Sequence, residues 1–240
     1  MSLELKIILS HILAKVHPLG SFRRRARANA RNFSSKKSFS QEGEDIILSR
    51  LFEKKSRGFY VDVGAHHPFR FSNTTLLHYR GWRGMNIDPN PDGIAQFKKY
   101  RPNDINLLQA VGTAKEKLKF HVFNDCALNT FCEKTAEEIL KQGQFSLVEE
   151  KYIQVMQLSM ILDEHEVDKI DYLNIDVEGL GLTVLESNNW NKHSPSVISI
   201  ELLSCNDLEQ LNQCKEYVFL KEKGYSLEAK TPNTAFFTKL

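Results

Sequence analysis

A chain of 240 residues, 41% hydrophobic and 26% charged, is long enough to bury one α/β core without disulfides or metal and has the balance of a soluble globular protein. Its longest apolar stretch, LELKIILSHILAKV, is interrupted by Glu4, Lys6, His11 and Lys15, which argues against a membrane span of about 20 apolar residues. The net charge of +2 averages a strong asymmetry: residues 1–40 carry nine Lys/Arg against Glu4 alone, leaving the remainder acidic.

In chain order, Leu3, Ile7, Ile8, Ile12 and Val16 recur at helical spacing until Pro18 and Gly20 break the pattern. The basic stretch that follows, with arginines at 23, 24, 25, 27 and 31, reads either as a solvated linker or as an anchor on an anionic membrane face. We therefore expect a basic N-terminal helix and linker over 1–38 and one folded domain over 39–240. From residue 40, SQEGEDIILSRLF predicts a helix with Ser40 as N-cap, early acids Glu42, Glu44 and Asp45, and Ile46, Ile47, Leu48, Leu51 and Phe52 available for burial. Gly43 weakens that helix locally and moves its start later.

Short apolar runs follow: GFYVDVGA, GMNIDPN, INLLQAVG, IDYLNIDVEG and SVISIELL have the length and β-branched content of buried strands. Between them TTLLHYRGW, DGIAQFKKY and LTVLESNNW read as crossover helices. EKLKFHVF is a further strand off the parallel core, and the C-terminus reads as a helix followed by a hairpin around Pro232 and Asn233. Alternating strands and helices predict a doubly wound, mostly parallel α/β sheet with ligands at the carboxyl ends of its strands. Cys126, Cys132, Cys205 and Cys214 show no metal-type spacing and read as reduced, packed thiols of a cytoplasmic protein.

Acids close these runs: Asp62 the first, Asp88 the second, Asp176 and Glu178 the fourth, Glu201 the last. A carboxylate at the end of a buried strand costs desolvation unless something pairs with it, so one ligand shared along the sheet edge would account for the pattern. Asp88 stands where a Rossmann-like sheet binds ribose hydroxyls. Only Gly64 is present in the first turn, where a pyrophosphate would require G-x-G-x-x-G, which disfavours a dinucleotide and suits a phosphate-free, cationic cofactor such as S-adenosylmethionine. The bland alternative is that Asp62 and Asp88 cap helices or turns.

SQEGED, GFYVDVGAHHPFRFSNT, GWRGMNIDPNP, LLQAVGT, IDYLNIDVEGLGLTVLE and VISIEL resemble, in order and spacing, the motifs of FkbM-type methyltransferases, over about residues 38–238. The resemblance implies a class I methyltransferase sheet of about seven strands with a reversed C-terminal strand, helices on both faces, and S-adenosylmethionine as cofactor. It also implies O-methylation of a sugar, glycan or natural product. Carried over by position, Asp62, Gly64 and Ala65 face the methionine part, Asp88 holds the ribose, and Ala110 and Val111 lie near the adenine. Gln41 and Glu44 resemble positions that close over the cofactor.

A hydroxyl is a weak nucleophile and benefits from a base as its proton leaves. The candidates are Asp176, Glu178, His66 and His67, with Glu201 a further candidate on the same rim, and Asn73 and Glu201 as acceptor-binding residues. Asp176 and Glu178 would share a face if the strand continued, with Asp176 near the transferring methyl. Glu178 alternatively caps the GLTVLE helix, the histidines alternatively serve as loop scaffolding, and Ser72 to Thr74 are expected to cap a helix or, alternatively, to hydrogen-bond an acceptor hydroxyl. Asp176, Glu201 and a histidine could offer ligands to a divalent metal, although no spacing demands one. Trp82, Arg83 and Trp190 could stack on a sugar but fit better as packing at helix ends. The competing reading is a catalytically silent Rossmann-like protein that binds a membrane or nucleic acid through its basic arm. The arm lacks the interleaved aromatics of single-strand binders, which argues against nucleic acid. DPNP, similar to a motif of amino methyltransferases, follows the second strand, where a ribose acid belongs.

Overall fold

The computed structural model describes residues 36–124, 128–131, 133–202 and 208–240. The helix expected near the N-terminus, most of the basic linker, Cys126, Cys132 and Cys205 lie outside the described residues. Ser38–Leu240 forms one compact unit. Its first helix, α1 (Glu44–Leu51), begins later than the Ser40 cap predicts, because Gly43 takes a left-handed φ of 89° and turns the chain first. Ser40 is tied to that helix in another way: its Oγ accepts from Asp45 N at 3.2 Å and donates to the buried Asp45 carboxylate at 2.9 Å.

The main sheet has seven strands. They are β1 (Phe59–Val63), β2 (Arg83–Asp88), β3 (Ile105–Leu108), β7 (Tyr172–Ile175), β8 (Val197–Glu201), β9 (Tyr225–Lys230) and β10 (Thr234–Lys239), in the order β3-β2-β1-β7-β8-β10-β9. The pairs β2–β3, β1–β2, β1–β7 and β7–β8 are parallel, whereas β10 runs antiparallel to both β8 and β9. This is the mostly parallel sheet with a reversed last strand that the sequence predicts. A smaller sheet, ordered β4-β6-β5, holds β4 (Ala110–Val111), β5 (Glu116–Phe123) and β6 (Leu147–Met156). The predicted strand INLLQAVG is therefore two strands, divided at Gln109 and paired in different sheets. EKLKFHVF lies outside the main sheet, as expected.

Alternation along β1 explains the layers, since successive side chains point to opposite faces. Val61 and Val63 pack with α5 (Leu158–Glu164), α6 (Gly181–Glu186) and α7 (Lys215–Glu222) through Leu158, Ile161, Val184, Leu185 and Leu220. Tyr60 packs on the other side with Leu48 and Phe52 of α1 and its C-cap, and with Leu77 of α2 (Thr75–Tyr79). Trp82 is fully buried there, its ring 4.7 Å from that of Phe52, and Trp190 packs on Tyr225 at 5.7 Å, so both tryptophans are structural. Cys214 is a buried thiol.

Candidate active site

The strand order reverses between β1 and β7, and a doubly wound sheet offers its binding crevice at that switch point, beyond the strands' carboxyl ends. Here Gly64 N donates to Ile87 O at 2.9 Å, and Asp176 N donates to Val63 O at 2.9 Å. Gly64 has φ 79°, and a Cβ built on it would overlap the Asp176 carbonyl oxygen. The lone glycine of the first turn is thus required by the close approach of β7. Ala65 packs under Ile94 and Phe97 of α3 (Pro91–Tyr100). His66 N donates to Asp88 Oδ2 at 2.8 Å, and Asn90 N donates to Asp88 Oδ1 at 2.7 Å. Burial outweighs these two bonds and pushes the Asp88 carboxyl up to about 6. Asn90 caps α3 by accepting from Asp92 N, and Pro91 is its first residue, so DPNP is a strand end followed by a helix start. Ala110 and Val111 follow Gln109, whose N–H donates to Asp88 O at 3.2 Å.

His66 is left-handed, with φ 54°. His67 Nδ1 accepts from Phe69 N and Arg70 N, each at 3.1 Å, which builds this ring into the loop. Burial lowers both histidines; His67 and Arg70 add to it for His66, as do Arg70 and Arg101 for His67. Neither lines the acidic pocket described next.

The strand does not continue past Ile175, and Glu178 is left-handed at φ 48°. The turn nonetheless brings carboxylate oxygens of Asp176, Glu178 and Glu201 within 4.8 Å of one another. A shared strand face is therefore replaced by a turn that folds Glu178 back. The helix it was expected to cap, α6, has Leu180 as N-cap and no side-chain cap. Three carboxylates so close could hold a divalent cation; Glu178 takes the place in that group that a histidine was expected to fill. Gln41, Glu44, Asn73, Asp176 and Glu201 line one pocket, together with Glu42 and Asn233. Gln41 is exposed and Glu44 is buried. Glu42 accepts from Asn233 N at 3.0 Å and Nδ2 at 2.7 Å, fastening the segment before α1 to the β9–β10 turn.

Burial, then the Glu201 and Glu178 carboxylates, push Asp176 well above the usual carboxylate range. Burial and Glu178 raise Glu201 to about 7, partly offset by its hydrogen bond with Asp176. Asp176 and Glu201 titrate as a pair, both raised. These shifts favour the protonated native state, so the stability they contribute is lost as pH rises through the folded values. His66 and His67 act in the opposite sense as pH rises to and through their ordinary value of about 6.5, so the carboxylate contribution is isolated by comparison with Glu201→Gln, in which the histidine contributions cancel. Without divalent ions, the melting temperature of the wild type is expected to fall by about 2 °C relative to that of Glu201→Gln between pH 6.5 and 8. Thermal melts of both proteins in a chelator-containing buffer series check this.

Beneath the turn lies a polar layer that sequence reasoning missed. Asp62 is 2% exposed, and its two oxygens accept from Asn174 Nδ2 and Thr74 Oγ1, each at 2.8 Å. Asp62 stands in register with Asn86 and with Asn174, and Asn174 with Ser199, giving a polar row across four strands. Asn73 Nδ2 donates to Asn174 Oδ1 at 3.1 Å, linking the row to the pocket. Of Ser72 to Thr74, expected to cap a helix, Thr74 does stand at the N-cap of α2, but its side chain makes no cap bond, because Oγ1 is committed to Asp62 and also accepts from Arg101 Nη1 at 2.9 Å. Fully buried Arg101 also donates from Nη2 to Pro68 O at 2.5 Å and to Thr75 Oγ1 at 2.8 Å. A signal for the row was present: the tripeptide N-I-D occurs at 86–88 and again at 174–176, with a polar residue two before each strand-end acid.

The sheet order and the reversed final strand give the chain the Rossmann-like fold of class I methyltransferases. A family model described as the methyltransferase FkbM domain matches residues 62–227. The chain belongs to the FkbM methyltransferase family, whose members depend on S-adenosylmethionine. No curated protein matches it. Similar solved structures include a Staphylococcus aureus protein described as a caffeoyl-CoA O-methyltransferase, 11% identical over 100% of both chains with TM-score 0.43. A precorrin-6y C5,15-methyltransferase from Geobacter metallireducens is 12% identical over 85% of this chain and 93% of that one, with TM-score 0.41. A TehB-like methyltransferase from Corynebacterium glutamicum is 13% identical over 92% and 97%, with TM-score 0.41. At these identities the likenesses identify no substrate.

Proposed function

We propose that this methyltransferase methylates a hydroxyl of a saccharide, on a glycan or a natural product. The observation that carries the reading is the cluster of Asp176, Glu178 and Glu201, whose carboxylate oxygens lie within 4.8 Å of one another at the switch point beside the Gly64 turn. The cofactor fits the donor set, because a sulfonium and an ammonium are cations and the pocket is lined by Glu42, Glu44, Asp176 and Glu201. When bound, S-adenosylmethionine supplies an electrophilic methyl group. Gly64 and Ala65 would receive its methionine part, with Asp62 held beneath them by Asn174 and Thr74. Asp88 has lone pairs left for the ribose hydroxyls after accepting two N–H bonds, and Ala110 and Val111 border the adenine. Gln41 and Glu44 close the pocket over the cofactor. Asn73 and Glu178 would orient the acceptor, and Glu201, supported by Asp176, would take the hydroxyl proton as the acceptor oxygen bonds to the methyl carbon and the methyl–sulfur bond breaks, with S-adenosylhomocysteine leaving. His66 and His67 shape the turn through the backbone bonds already described.

Equilibrium binding of labelled S-adenosylmethionine tests the cofactor half. Asp88→Ala should weaken it by about tenfold or more, since it removes hydrogen bonds to a charged group. A wild-type chain that does not bind the cofactor would end the proposal. For the acceptor half, mass spectrometry of glycans from cells with and without the gene should show the mass of one added methyl group.

A further inference from the structure

Phe71 stands out in the pocket for what it is and how it is held. It is 49% exposed and lines the same pocket as Asp176 and Glu201. Its backbone is left-handed, φ 54°, a conformation that a bulky aromatic residue rarely adopts. The neighbours fix it there: Ser72 and Asn73 are buried, Ser72 N donates to Phe39 O at 3.0 Å, and Asn73 is bonded to Asn174. Strain of this kind, on a side chain that gains little burial, is not explained by packing. Apart from Phe71, the pocket lining consists of carboxylate, amide and hydroxyl side chains.

Resting on the function proposed above, we propose that Phe71 is the acceptor platform and that the acceptor is an uncharged pyranoside. A sugar ring has a C–H face that packs on an aromatic ring and an equatorial rim of hydroxyls, which suits an apolar ring beside carboxylates and amides. The ring of Phe71 takes the C–H face, Asn73 and Glu178 take rim hydroxyls, and one hydroxyl is presented to Glu201. The four acids lining the pocket, with no lysine or arginine among the lining residues, select against phosphorylated or carboxylated sugars. Arg70, whose guanidinium lies 4.8 Å from the Phe71 ring centre, steadies that ring at the rim.

The test uses the full chain, S-adenosylmethionine and a panel of methyl glycosides: neutral hexosides, amino sugars and sugar phosphates, with simple amines as a further arm. S-adenosylhomocysteine production is the readout. A neutral glycoside is expected to be the preferred acceptor; Phe71→Ala should lower its kcat/KM by about tenfold or more, mainly through KM, and Phe71→Trp should retain it. The cofactor Kd of both variants should stay within about twofold of wild type. Phe71→Gly relieves the left-handed strain, so its melting temperature should rise by about 2 °C while acceptor use is lost, separating the role from a folding defect. Unchanged kcat/KM in Phe71→Ala, preference for a phosphorylated sugar or an amine, or a cofactor-bound chain that methylates no glycoside would overturn the proposal. Failure to bind S-adenosylmethionine would instead defeat the underlying function.

Discussion

Gly64→Ala is expected to abolish cofactor binding, weakening it by at least about 100-fold, and to lower the melting temperature markedly. Two costs combine. A left-handed alanine costs about 1 kcal/mol relative to its preferred conformations. The larger cost is steric, because the new methyl group would occupy the position of the Asp176 carbonyl oxygen. Relief cannot come from a side chain, since the obstructing atom is backbone and Asp176 N is itself bonded to Val63 O. Either β1 and β7 separate at their carboxyl ends or the turn is redrawn, and both outcomes dismantle the crevice. Gly179→Ala is the control: its φ is 84° but nothing lies within 4 Å of an added Cβ, so it bears the conformational cost alone. Similar cofactor affinity in the two variants would contradict this account.

Glu201→Gln is expected to reduce kcat by about 10²- to 10⁴-fold, the range for loss of a general base, with cofactor Kd changed by less than about threefold. Asp176→Asn should fall in the same range if the pair acts as a unit, and the double variant should be little worse than either single one. In the wild type, kcat/KM should rise with pH through about 7, as the pair releases the proton associated with Glu201. That limb should disappear in Glu201→Gln. Removing a carboxylate from a crowded acidic pocket should also raise the melting temperature above pH 7, because burial and Glu178 disfavour its ionised form. A variant that is more stable and less active identifies a functional charge, whereas loss of both would indicate a structural one. Measurements with and without added magnesium distinguish a proton-transfer role from cation binding by the same three carboxylates.

Much of this architecture was legible in the sequence because it follows from burial. Four of the five short apolar runs end in acids, a pattern that reads as buried strands with their ends at one sheet edge; Pro232 and Asn233 marked the C-terminal hairpin, and the family resemblance implied its reversed strand. What escaped notice depends on three-dimensional register. Asn86, Asp62, Asn174 and Ser199 share a row because their strands are adjacent, and β7 neighbours β1 more than 100 residues earlier. The convergence of Glu178 with Asp176 required a left-handed residue that its sequence did not advertise. Arg101, at the end of an amphipathic helix, reads as a solvated cation; only the tertiary structure shows it buried on Pro68 and Thr74.

That buried guanidinium gives the molecule a division of labour useful to an engineer. Pro68 O accepts from both Arg101 Nη2 and Thr75 Oγ1, so the loop is closed at its base before it reaches the surface. Residues 69–71 then form a short exchangeable segment, supported by a clamp that touches neither Gly64 nor Asp88. Libraries confined to these three positions should explore new acceptors while leaving cofactor affinity intact.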